Sequence, residues 1–249
     1  MFARMRGGLL LITLAGMVST SLGLAGPITD IALQYQSGIR VSNTIFGDFS
    51  WSYVYGLSFA GDTLTAQVNV ELIGDDPGTA LRNRWETGVE SAWSRHFDIV
   101  DGPYLYPILL NLTWVDTSIQ AEVVTVHQGT GNMDMLNWYT DHPSGWPNSY
   151  EGVLAAHEIG HMLGLYDEYY GGAVDPTTLF YTTNTLMSDL GPVQERYYSD
   201  MLSWLELASG RSNLTLAPDN GLVPEPASVT LVAIGILAVL ANRRRLGRS

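Results

Sequence analysis

The sequence predicts an α+β fold: a mixed sheet with one motif-bearing helix and one C-terminal helix. Three observations predict it. Residues 64–72 alternate apolar and polar, residues 79–95 repeat large apolar side chains four apart, and a long helical pattern enters at Asn148 only after several further strand-like runs. Strands followed by a helix, more strands and another helix make layers around one sheet, with no internal repeat to suggest a solenoid.

Residues 27–62 are rich in Gly, Ser, Tyr and Phe with weak alternation, and read as short strands or an extension. Leu64, Ala66, Val68, Val70 and Leu72 then share one face, with Thr65, Gln67, Asn69 and Glu71 on the other. That is a half-buried strand. After the breaker from Gly74 to Gly78, the stripe Leu81, Trp85, Val89 and Trp93 makes a helix whose tryptophans belong to the core. Ile108, Leu110, Leu112 and Trp114 alternate as a second strand, and residues 122–126 form a third. His127 ends that strand at the turn Gly129-Thr130-Gly131, and residues 132–139 fit an irregular edge strand. Pro143, Gly145 and Pro147 mark a loop, after which Asn148 caps a helix and Glu151 answers three residues on. A last helix opens at Pro192, with Tyr197, Met201, Trp204, Leu205 and Ala208 at core spacing.

The ends differ from this body. Residues 1–25 carry Arg4 and Arg6, an apolar run from Gly8 to Val18 and small residues up to Ala25, the layout of a secretory signal peptide. Residues 218–249 hold Pro224-Glu225-Pro226, an apolar run from Ala227 to Ala241, and Arg243, Arg244, Arg245 and Arg248. Fifteen helical residues reach roughly 22 Å, short of the ~30 Å hydrocarbon core, and the arginines stop the span on the cytoplasmic side. Triplet, span and arginines in that order resemble the PEP-CTERM sorting signal of Gram-negative bacteria. The resemblance implies a membrane tether until an exosortase-type protease cuts near the triplet, then delivery to the cell surface or extracellular matrix.

All twelve basic residues are arginines and six lie in the ends, whereas only Glu225 of the 25 acids does. Residues 26–223 therefore hold 24 acids against 6 arginines, a net charge of −18. Such a body repels nucleic acid and anionic lipid, which excludes both as partners, and some of its carboxylates suit calcium. With no cysteine, disulfides and thiolate ligands are excluded, and a metal must sit on His, Asp or Glu.

The chemistry concentrates in AAHEIGHMLGLYDEYY, residues 155–170. On a helix His157 and His161 stack on one face and can point at one ion, while Glu158 projects to its side. Val153, Ala156, Gly160 and Leu163 line the opposite face, small and apolar enough to press on a sheet. This is the H-E-x-x-H arrangement of zinc proteases, in which the glutamate is a general base. Past it, Gly164 suits a tight helix stop with positive φ, and Asp167 follows three residues later. His96, His127 and His142 lack ligand spacing and read as structural.

The whole pattern resembles the metzincin H-E-x-x-H-x-x-G-x-x-H, with aspartate as the last ligand, as in the snapalysin-like branch. The resemblance covers roughly residues 64–208 and is strongest at 157–167; the catalytic domain is placed at residues 26–217, with 26–62 as an N-terminal extension of undefined role. It implies zinc on His157, His161 and Asp167, Glu158 as the base, and Met187 in a turn beneath the metal. It also implies a protein or peptide substrate lying as an added strand along residues 132–139. Glu168 stays open as an alternative ligand, a supporting residue, a calcium ligand or a brace for the Tyr169-Tyr170 turn. The function expected is an exported zinc endopeptidase, and the alternative is a zinc-binding surface or matrix protein without catalysis.

Overall fold

The computed structural model describes residues 26–45, 47–141 and 150–219. The expected signal peptide, the Pro-Glu-Pro tail, His142 and the Asn148 cap lie outside those residues. Among the described residues no helix is long and apolar enough to cross a membrane.

The elements are β1 (Ile31–Thr44), β2 (Gly47–Ala60), β3 (Thr63–Gly74), α1 (Thr79–Trp93), β4 (Phe97–Asp101), β5 (Tyr104–Val115), β6 (Glu122–Thr130), β7 (Asn137–Asp141), α2 (Tyr150–Met162), a short α3 (Leu186–Asp189), a 3-10 turn (Glu195–Tyr198), α4 (Ser199–Ser209) and β8 (Thr215–Pro218). They build a mixed α/β architecture, a curled mixed sheet with a few helices. The strands run in the order β1-β2-β3-β5-β4-β8, with β6 and β7 branching from β3.

The branch fixes the geometry of the site. One edge of β3 pairs parallel with β5 along Leu64–Glu71. Its other edge is shared: β2 takes Thr63–Gln67 antiparallel, and β6 takes Val70–Gly74 parallel. Where β6 takes over, β2 leaves the sheet, and its first half continues as a two-stranded arm with β1. Residues 26–62 are therefore no loose extension. Phe49, Trp51, Tyr53, Tyr55, Leu57 and Phe59 alternate strictly along β2, and Tyr55, Leu57 and Phe59 lie in the core.

The core beneath matches the sequence stripes. Leu64, Ala66, Val68 and Val70 of β3 and Leu81, Trp85, Val89 and Trp93 of α1 are buried, with Ile108, Leu110 and Leu112 of β5. Each large buried side chain of this kind contributes roughly 1.5–3 kcal/mol over its exposed state. Two expectations are corrected. β6 does not end at His127 but runs to Thr130, because Gly129 at φ 95° lets the strand bulge and resume pairing with β7. The back face of α2 packs mainly on α1 rather than on a sheet, because Gly88 and Gly152 meet backbone to backbone. A Cβ on Gly88 would stand 2.3 Å from the Gly152 Cα, so the two axes can approach this closely only with glycine at the crossing.

Candidate metal centre

Helix α2 runs through both histidines, and the chain then stops as its composition requires. Gly164 takes φ 84°; its N–H donates to His161 O (2.9 Å) and the Leu165 N–H to Gly160 O (3.0 Å). This Schellman turn is open to glycine at low cost and reverses the chain toward Asp167.

His157 and His161 sit one turn apart on α2, both buried, with ring centroids 5.1 Å apart. The ligand atoms of His157, Glu158 and His161 lie within 4.8 Å of one another, a buried group that can hold a metal ion. Asp167 comes closer still to the imidazoles: its Oδ1 lies 3.2 Å from His157 Nε2 and 3.3 Å from His161 Nε2. The far nitrogens are fixed by carbonyls, which can only accept. His157 Nδ1–H donates to Leu186 O at 2.8 Å and His161 Nδ1–H to Leu165 O at 3.0 Å. In neutral rings the lone pairs of both Nε2 atoms therefore face Asp167 Oδ1.

Asp167 is 5% exposed, and its Oδ1 has no hydrogen-bond partner among the described residues. Oδ2 is occupied, accepting the Ala173 N–H at 2.7 Å. Three electron-rich atoms thus converge with nothing positive between them, which is stable only around protons or a cation. The electrostatics agree. Burial, the largest single influence, works against charge on both imidazoles, but Asp167 and Glu158 together outweigh it and raise both, His161 to about 9. Burial pushes Asp167 up, but the imidazoles hold it well below the usual carboxylate range. Glu158, 5% exposed, is raised mainly by burial, opposed by the imidazoles and reinforced by Asp167 and Asp134.

Glu168, adjacent to Asp167, points elsewhere. Its carboxylate accepts from Arg196 Nε (2.8 Å) and Nη2 (2.6 Å), from Tyr197 Oη (2.6 Å) and from Thr185 Oγ1 (2.8 Å). Burial would raise its pKa, and these donors hold it below the ordinary value. With both oxygens engaged, Glu168 is a brace and is not turned toward the histidines. The brace is completed by its own N–H donating to Met187 O at 2.7 Å. Met187 is fully buried under α2, and a Cβ on Gly160 would lie 2.3 Å from its Sδ. Neighbouring Leu186 supplies the carbonyl that orients His157. Of the other described histidines, His96 Nε2 meets Ser91 O, and His127 meets Asn137 Oδ1 and stacks on Tyr139.

The donor group opens into a cavity of about 500 Å³, lined on one side by Met133–Asn137, on another by Tyr169 and Gly171–Ala173, and on a third by Asp48–Trp51. That third wall was not expected from the sequence. The arm grips the ligand-bearing turn: Trp51 Nε1–H donates to His161 O (3.1 Å), Arg40 Nε–H to Gly164 O (2.6 Å) and Ser42 Oγ–H to Val174 O (2.6 Å). The Trp51 ring also stands edge-on to His161 at 5.4 Å. The strict alternation of Phe49, Trp51, Tyr53 and Tyr55 was the available signal that this stretch is a packed strand.

Comparison with known protein families, with curated proteins and with solved structures finds no match for this chain.

Proposed function

We propose that this chain is a zinc-dependent endopeptidase of the metzincin type, with zinc held by His157, His161 and Asp167. The observation that supports the reading most is the convergence of two Nε2 atoms and one orphaned carboxylate oxygen at 3.2–3.3 Å. Zinc bonds of 2.0–2.1 Å at tetrahedral angles place neighbouring donors about 3.3 Å apart. Two imidazoles and one carboxylate are also an established catalytic set for zinc, leaving a fourth position open.

Bound zinc supplies a Lewis acid that polarises a carbonyl and brings the pKa of a water from 15.7 to about 7. The chain does the rest. Glu158, beside the ligands but outside the closest trio, takes the proton as the water oxygen attacks the peptide carbonyl carbon. It returns that proton to the amine nitrogen as the C–N bond breaks. The Leu186 and Leu165 carbonyls keep both imidazoles in the tautomer that presents Nε2 to the ion. The direct test is cleavage of unfolded casein by the purified chain, stopped by a zinc chelator and restored by zinc.

We also propose that the chain is exported and held at the inner membrane of a Gram-negative-type cell by residues 222–249 until an exosortase-type protease cuts near Pro224–Pro226. Support comes from the order of triplet, apolar run and arginines. Deleting residues 222–249 is expected to move the protein from the membrane to the soluble fraction on cell fractionation. A truncated chain that pellets with membranes as firmly as the full one contradicts the tether.

A further inference from the structure

The arm presents an unused strand edge to the cavity. Pairing of β1 with β2 is regular from Gln34/Leu57 to Thr44/Gly47, so alternate residues of β2 direct their N–H and C=O groups toward β1 and the rest away from it. The parity is fixed by two observations. The two-residue turn Gly61-Asp62, with positive φ at both residues, makes Ala60/Thr63 a hydrogen-bonded pair, so Ala60, Ser58 and Gly56 direct their main-chain groups to β3, and the Val54 N–H leaves the arm to donate to Glu122 Oε1 at 2.7 Å. Period two then directs the main-chain groups of Ser52, Ser50 and Asp48 to the same outer edge.

That edge is open because β6 has replaced β2 along β3. Glu122, the first residue of β6, caps the last position it can reach. Beyond Val54 no described residue pairs with the edge. Asp48 and Ser50 line the same cavity as His157, Glu158, His161 and Asp167, while Trp51 between them holds His161 O.

On the opposite wall most of these groups are already taken. The N–H groups of Asp134, Leu136 and Asn137 are engaged within their own turn, on Asn137 O, Asp134 Oδ1 and Asp134 O, and Leu136 O is taken by the Thr125 N–H. An extended chain entering the cavity therefore meets on β2 a regular row of main-chain donors and acceptors that no described residue engages, whereas on residues 133–137 only Met133 and Met135 are left without a described partner.

We propose that the β2 edge at Asp48–Ser52 is the substrate-docking strand, where an extended peptide adds by main-chain hydrogen bonds. It rests on the peptidase reading of the same site. Outward groups recur every two residues, about 6.8 Å, the repeat of an extended peptide, so the edge recognises polypeptide backbone rather than one side chain. The ligand class is an unfolded or extended protein segment, and a folded loop that cannot extend is excluded.

The test uses the zinc-loaded Glu158→Gln chain, unfolded casein as the probe, and amide hydrogen exchange. Without casein, the amides of Asp48, Ser50 and Ser52 exchange fast while those of Phe49, Trp51 and Tyr53 are protected by β1. Casein is expected to slow exchange at Asp48, Ser50 and Ser52. Exchange at those three amides unchanged by saturating casein overturns the proposal. Casein turnover by the wild type is read separately, so failure of the peptidase reading is distinguishable from failure of the docking strand. As a second variant, Ser50→Pro removes only an edge-facing N–H, which a strand edge tolerates. It is expected to raise KM about two- to tenfold, the worth of one hydrogen bond, with kcat and zinc content retained. An unchanged KM in a folded, zinc-loaded Ser50→Pro chain also contradicts the proposal.

Discussion

Glu158→Gln is expected to lower casein cleavage by about 10²–10⁴-fold, the usual contribution of a general base, while zinc stays bound at the wild-type level. The residue lies against the donor group but outside the closest contacts, which belong to the two Nε2 atoms and Asp167 Oδ1. Glutamine keeps the size of the side chain and removes only its ability to take a proton. Activity assayed at equal zinc content reads the effect. If wild type and variant are equally inert toward casein and a broad peptide library at full zinc loading, the site is a structural metal centre. If the variant loses zinc, Glu158 is itself a ligand and the proposed geometry fails.

The second large effect is expected at Asp167. Asp167→Ala should reduce zinc affinity by more than the 10–100-fold typical of losing an outer partner, because it removes a donor and not a support. The imidazoles remain on α2 with their Nδ1 anchors intact, so the loss should appear in metal titration and not as unfolding. Glu168→Gln is the matched comparison. Its carboxylate faces Arg196, Tyr197 and Thr185, so the variant should lose stability and keep most of its zinc affinity. The opposite ranking, with Glu168→Gln emptying the site and Asp167→Ala retaining metal, would reverse the ligand assignment.

The part of the site that was legible in the sequence is the part that local geometry dictates. His157 and His161 meet because four residues make one helical turn, and Gly164 takes positive φ because a helix ending there demands it. The stripe of α1 and the alternation of β3 likewise describe their own burial. What escaped depends on partners distant in the chain. The 26–62 segment became a cleft wall through Trp51 and His161, 110 positions apart, and Arg40 and Gly164, 124 apart. No local pattern encodes such a meeting. The back face of α2 was small and apolar, which suits a sheet or a helix equally, and the Gly88–Gly152 contact selects the helix. β4 and β8 are short and pair with each other at the far end of the sheet, so neither announces itself by length or period. Glu168 and Asp167 are chemically alike and adjacent. Only the positions of Thr185, Arg196 and Tyr197, 17 to 29 residues on, separate brace from donor.

X-ray absorption at the zinc edge of the wild-type chain tests the central claim most directly. It predicts one zinc per chain with two imidazole nitrogens and oxygen donors at about 2.0–2.1 Å, losing one oxygen donor or the metal itself in Asp167→Ala. A chain that takes up no zinc, or a zinc whose donor set is untouched by Asp167→Ala, would contradict it.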